Sequence, residues 1–271
     1  MKQKPTRHIQ FLFVAVCIAS SSCKLSVDPN ATVPFDLGNI PHITGANDQL
    51  LTLEQRQKNR RDAEILAIKY VNQKDSTQIE IPHPFIEFLY NGLIHIINSD
   101  LAKAQEVTTR FNIHARAPNP REIVIYADTT AAWLDSWRKG KTMTGNEKID
   151  SLINLLNFCL WDYDELQSLS RAIATLHSDH AFNIYAVGRL FERLNAIERA
   201  GPDGIIGDGN GLNVLFFNDH LQYRFEYGYG DCPSGCINHH LWKFNVYSDG
   251  TVAFAGEEGP LPKSVAYIKN Q

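Results

Sequence analysis

The chain has 271 residues, 44% of them hydrophobic and 21% charged, with 17 Gly and 12 Pro. These ordinary globular proportions exclude collagen-like, coiled-coil and wholly disordered organisation. A formal net charge of −4 argues against a strong nucleic-acid binder. The one apolar run that approaches a bilayer's needs lies at the extreme N-terminus, which excludes a polytopic membrane protein.

Met1 to His8 carries Lys2, Lys4 and Arg7 and no acid. Ile9 to Ala19, IQFLFVAVCIA, is almost purely apolar, and Ser20, Ser21, Ser22 and Cys23 follow. A basic start, a short apolar run and small residues at its end make an export signal. The run has eleven residues, against roughly 20 for a spanning helix. Small residues ending at a cysteine resemble a bacterial lipobox. In such signals the thiol is diacylated, the preceding peptide is cut, and the cysteine, here Cys23, becomes the first residue. Ser20 stands where Leu is usual. The alternative is a plain signal peptide cut near Ser22. Cleavage after residue 22 leaves 23 basic and 30 acidic residues, a net of −7. That balance suits a domain held beside an anionic surface rather than lying on it. Two acyl chains suffice as an anchor, so a membrane partner is expected through Cys23 alone.

Residues 1–22 therefore read as a lipoprotein signal peptide, 23–50 as a flexible tether and 51–271 as a single α+β domain. The tether reading rests on three Pro, two Gly and many small polar residues without a period. Thr52 with Gln55 fits a capping box. Behind it Ala63, Leu66, Ala67, Tyr70 and Val71 recur at helical spacing, with Gln57, Lys58, Arg60, Arg61 and Glu64 on the opposite side. Pro84 opens a second helix, whose Phe85, Phe88, Leu89, Gly92, Leu93, Ile96 and Ile97 form a wide apolar stripe. REIVIYA, 121–127, predicts a strand. Short helices are predicted over Thr130–Arg138 and Lys148–Phe158, and a clearer one after Asp179 with Ile184, Val187, Gly188, Phe191 and Leu194 as its core face.

Beyond Gly201 the texture changes. GPDGIIGDGNG is turn chemistry. In His220–Tyr229 the residues Leu221, Tyr223, Phe225, Tyr227 and Tyr229 share one face, and Trp242, Phe244 and Val246 do so in the next run. Asn218-Asp219 and Ser248-Asp249-Gly250 mark the reversals. The fold class expected is α+β, a helical N-terminal half packed on a C-terminal antiparallel β-meander.

Three groups of residues could carry chemistry. Cys232 and Cys236, in GDCPSGCINHHLW, read first as a disulfide, because an oxidising envelope favours one between such close cysteines. Zinc is the rival, with His239 and His240 as further ligands. Adjacent histidines on a strand face opposite ways, however, and cannot both join the cysteines. A second rival is a nucleophilic cysteine of the kind in cell-wall peptidases, for which no base is evident. The second group is Asp203, Asp208 and Asn210, whose oxygens and glycines suggest calcium but lack the closing acid of an EF-hand; the competing reading is a structural turn. The third is LHSDH, with His177 and His180 beside Asp179, read as a helix start. Asp162, Asp164 and Glu165 read as a solvated face, and Cys159 as a buried free thiol.

The lipobox, the Thr144-Gly145-Asn146…Ile149-Asp150 segment and the GDCPSGC…HHLWKFNV…DGTVAF run together resemble a group of secreted proteins and lipoproteins of Bacteroidetes-type bacteria. That resemblance implies export and an α+β fold, and it adds no activity. No nucleophile elbow, phosphate loop or dinucleotide fingerprint is present. The expectation is an envelope lipoprotein, with the outer membrane as its address, acting as a non-catalytic binding or structural module for a protein or glycan. The alternative is a metal-assisted envelope hydrolase using Asp203, Asp208 or nearby histidines. No cofactor is expected, with calcium or zinc as the exceptions.

Overall fold

A computed structural model describes residues 35–116, 118–204 and 208–261. The signal peptide, Cys23 and the first part of the expected tether lie outside these residues. From Phe35 onward the chain lies against the body. Phe35 stacks on Phe85 and Phe88, with centroids 5.2 and 5.3 Å away, and its carbonyl accepts from Tyr70 Oη. Ile43 is buried, and the Thr44 amide donates to the Ser248 carbonyl.

Helix α1, Leu53–Lys74, starts at the expected capping box: Gln55 N donates to Thr52 Oγ1, and the Gln55 side chain accepts from Thr52 N. Such a cap contributes about 1 kcal/mol. Helix α2, His83–Ile97, follows, and then α3, Ala102–Gln105, which runs directly into a π-helical turn, Glu106–Arg110. Strand β1, Glu122–Asp128, precedes the short helices α4, Leu134–Arg138, and α5, Glu147–Leu155. Then come β2, Cys159–Leu166, β3, Arg171–His177, α6, Ile184–Phe191, and β4, Ile197–Gly201. The chain closes with β5, Gly211–Phe216, β6, His220–Tyr229, β7, Asn238–Tyr247, and β8, Val252–Glu258. None of the described helices is long and apolar enough to cross a membrane.

The α+β class and the closing meander stand as expected, but the described residues form two antiparallel sheets, ordered β2-β3-β1-β4 and β5-β6-β7-β8. Each has its own core. Trp137, Ile149, Ile153, Val187 and Phe191 cover Ile123, Ile125, Ala174 and Leu176 of the first sheet. Helices α1 and α2 cover the second, against Leu221, Tyr223, Phe225, Trp242, Phe244 and Val246. The aromatic row is therefore core. Tyr223 reaches deepest, and its hydroxyl donates to the Leu89 carbonyl at 2.7 Å. Gly92 makes that approach possible, because a Cβ there would lie 2.3 Å from Tyr223 Oη.

Several local expectations need correction. Glu64 is buried, not solvated. Asp179 does not cap α6; the cap is Asn183, whose side chain accepts from Ala186 N and donates to the Gln78 carbonyl. His177 ends β3 and contacts Glu122. The helix expected to run to Phe158 stops at Leu155, and Asn157 takes a left-handed turn (φ 50°) into β2. Asp162, Asp164 and Glu165 belong to that edge strand. Cys159 at its start is exposed, because the pleat turns the neighbouring Phe158 inward instead. The Thr144…Asp150 segment is structural: Asp150 accepts from Thr144 N, Thr144 Oγ1 and Gly145 N, and Asn146 caps α5.

Gly92→Ala should destabilise the protein by about 1–3 kcal/mol through overpacking. Combined with Tyr223→Phe, the total loss should fall short of the sum of the single losses, since the nearest of the clashing Tyr223 atoms is gone while the ring carbons at 2.8 and 2.9 Å remain. Denaturant unfolding of the four proteins checks this.

Candidate functional site

The disulfide end behaves as a stiffened turn. Cys232 and Cys236 are at bonding distance, with Sγ–Sγ 2.20 Å. The loop before β5 docks on them: Asp208 N donates to the Cys232 carbonyl, and Cys236 N donates to Asp208 Oδ2. Asn210 Oδ1 accepts from Gly228 N, and Asp203 Oδ1 from Gly204 N. These oxygens thus serve backbone amides of the turns. The Gly209 amide, foremost, holds the Asp208 carboxyl below the usual carboxylate range. The histidines part as their alternation requires. His240 is buried beside Trp242 and contacts the Gly259 carbonyl, whereas His239 pairs with Glu226 at 2.8 Å and faces Asp208 at 3.4 Å. Among the described residues no group of three or more His, Cys, Asp or Glu side chains is arranged to hold a metal.

A different place concentrates polar chemistry. Between the N-terminal half of α1 and the π-helical turn lies a cleft of about 270 Å³, just under the roughly 300–1,000 Å³ of typical small-ligand sites. One wall is α1, which contributes Lys58, Asn59 and Asp62; the other carries Thr108, Thr109, Asn112 and His114. Leu93, Ile97, Ile113 and Phe225 supply its apolar surface. Three local features shape the second wall. The π turn widens the backbone, a device frequent at functional sites. Asn112 adopts a left-handed conformation, φ 46°, which Asn tolerates better than most residues. Ile113 N then donates to the Val107 carbonyl and closes the loop.

Asp62 is the centre of the site. It is only 3% exposed, yet both its oxygens are used: Oδ1 accepts from Ala115 N at 2.8 Å and Oδ2 from His114 Nδ1 at 2.7 Å. His114 Nε2 lies 3.2 Å from the Asn112 side-chain amide. A carboxylate fixed on one ring nitrogen sets the orientation of the imidazole. Burial pushes the Asp62 carboxyl up from its ordinary range; the bonds to His114 and Ala115 pull it down without cancelling the effect. A buried carboxyl shifted this way inside a cleft marks a candidate site on physical grounds. The hydroxyls of the cleft are committed elsewhere. Thr108 donates to the Ala104 carbonyl and Thr109 to Gln105, while Thr52 caps α1. The imidazole is thus oriented without a hydroxyl or thiol bonded to it among the described residues.

The sequence reading missed Asp62 and His114. A signal for Asp62 was present, since it lies four residues before Leu66, on the apolar stripe itself. His114 sits in a loop without a period and gave none. No family model, curated protein or solved structure matches the chain.

Two outcomes are expected here. A raised Asp62 value means the folded chain keeps a proton that the unfolded chain has released, so Asp62 lowers stability as pH rises from about 4 through its folded value. Asp62→Asn should remove that slope, and the stability difference between variant and parent, measured by urea unfolding, should grow in the variant's favour over that range. Thiol titration of the chain from Lys24 onward should find one reactive cysteine, Cys159, without denaturant, and still one after unfolding; three after unfolding would show the disulfide to be absent.

Proposed function

We propose that this protein is a cell-envelope lipoprotein, anchored to the outer membrane through Cys23, that acts as a non-catalytic binding module. Its ligand site is the cleft between α1 and the π turn, and a neutral, hydroxyl-rich ring such as a glycan unit is the ligand class that fits. The supporting observation is the Asp62–His114–Asn112 chain on the cleft wall. It presents fixed planar donors and acceptors beside the apolar surface of Leu93, Ile97 and Phe225. A sugar ring offers the same pairing of hydroxyl edges and an apolar face. A neutral, hydrogen-bonding ligand suits the walls, because Glu54 is paired with Lys58 at 2.8 Å and both Asp62 oxygens are already bonded, by His114 Nδ1 and Ala115 N. The committed threonines support binding over nucleophilic catalysis. The envelope address rests on the leader and lipobox sequence.

The test is a titration of the protein with a panel of mono- and disaccharides, read by shifts of the His114 ring resonances. Saturable shifts in the parent are expected. His114→Ala should abolish saccharide binding as measured by calorimetry, which the parent should show alongside the ring shifts, and cost about 1–3 kcal/mol of stability by leaving Asp62 without its imidazole partner. Palmitate labelling that disappears in Cys23→Ser should accompany this. Stoichiometric zinc or calcium in the purified protein would favour the metal-assisted hydrolase instead.

A further inference from the structure

The opposite side of α1 carries a second groove of different character. Residues at successive helical turns point there: Leu53, Arg56, Arg60 and Arg61 come from α1, and Arg121 and Tyr90 face them across about 480 Å³. Four guanidinium groups thus border one groove in a chain whose formal net charge is −4. Two of them are fixed by acids. Arg121 grips Glu64 with Nε at 3.2 Å and Nη2 at 2.5 Å, and its Nη1 donates to the Asp179 carbonyl. Arg60 pairs with Glu87 and its guanidinium carbon lies over the Tyr90 ring, 3.9 Å from its centroid. The third acid, Asp48, accepts from Tyr90 Oη at 2.9 Å. Burial, foremost, and this carboxylate push the Tyr90 hydroxyl up to about 12, so it stays a donor. Counting Asp48, Glu64 and Glu87 against the four arginines, the groove keeps a net positive charge.

The guanidinium groups of Arg56 and Arg61 have no hydrogen-bond or ion-pair partner among the described residues, although the Arg56 backbone N donates to the Thr52 carbonyl. Their surroundings are held in place by the paired groups, so the two free forks stand on a fixed rim beside the Arg60–Tyr90 platform. Guanidinium forks match oxyanions bidentately. A carboxylate is satisfied by one fork, whereas a phosphate monoester carries close to two charges and three terminal oxygens at neutral pH. We propose that this groove is a phosphate-monoester site, with Arg56 and Arg61 holding the phosphate and the Arg60–Tyr90 platform supporting the esterified group. The site is separate from the cleft on the other side of α1, and its existence does not depend on what that cleft binds.

The experiment is calorimetric titration of the full-length protein in a non-ionic detergent with inorganic phosphate, glycerol 1-phosphate and acetate. A parallel arm uses phosphatidylcholine vesicles with and without phosphatidic acid. Saturable binding of glycerol 1-phosphate, tighter than that of acetate, supports the site and a soluble ester as its source. Binding confined to phosphatidic-acid vesicles supports the same chemistry on a lipid headgroup. Arg56→Gln with Arg61→Gln should weaken binding by about tenfold or more, while Lys139→Gln with Lys141→Gln, an equal charge loss elsewhere, should leave it unchanged. Arg56→Lys with Arg61→Lys keeps charge and fold but removes the forks, so binding should still weaken. Equal affinity for acetate, equal loss in the Lys139/Lys141 variant, or full affinity in the double Arg→Lys variant would each overturn the proposal.

Discussion

Two buried carboxylates on one helix decide where the rest of the chain can go. Asp62 and Glu64 stand two residues apart on α1, so the helical rotation sends them to opposite sides. Each is almost fully desolvated, and an unpaired charge in that position would cost several kcal/mol. Asp62 is satisfied by the loop at His114 and Ala115, and Glu64 by Arg121 at the entry to β1. The segment between the π turn and β1 is thereby fastened at both ends to one rigid rod. That fastening sets the width of the Asp62 cleft and carries Arg121 to the edge of the basic groove. It also ties the two sheets together, because α1 belongs to the core of one and Arg121 leads into the other.

The meander was legible because its evidence is large and periodic. Tyr223, Phe225, Trp242 and Phe244 alternate with polar residues, and the period of two admits no other reading. Helices α1 and α2 were legible through a capping box and a wide stripe. The first sheet hid for physical reasons. In β3 the inward positions are Ala172, Ala174 and Leu176, while Ile173 lies on the half-exposed face; small inward residues suffice where α5 and α6 supply the bulk, and they flatten the alternation. Strand β2 is an edge with Trp161 outward and acids along it, a composition that guards against unwanted pairing and reads as solvated surface.

The sites were harder to read than the fold, and the difference has one cause. The cysteine turn announced itself because its residues are neighbours in sequence. Asp62 and His114 are 52 positions apart, and their meeting depends on the packing of α1 against the π turn, which no local pattern encodes. Glu64 went to the wrong face because charge was taken as evidence of solvent. A charge on a helix whose two sides are both covered needs a partner instead, and Arg121 lies 57 residues away.

Helix α1 also separates two electrostatic settings. On the Asp62 side Glu54 pairs with Lys58 and both Asp62 oxygens are bonded by His114 and Ala115, so the cleft offers direction through fixed hydrogen bonds. On the Arg56 side the acids neutralise only part of the positive charge, so the groove attracts anions before any shape is read. The two sides are not insulated from each other. Arg61 is adjacent to Asp62, and its charge is one of the lesser influences holding that carboxyl down against the dominant effect of burial.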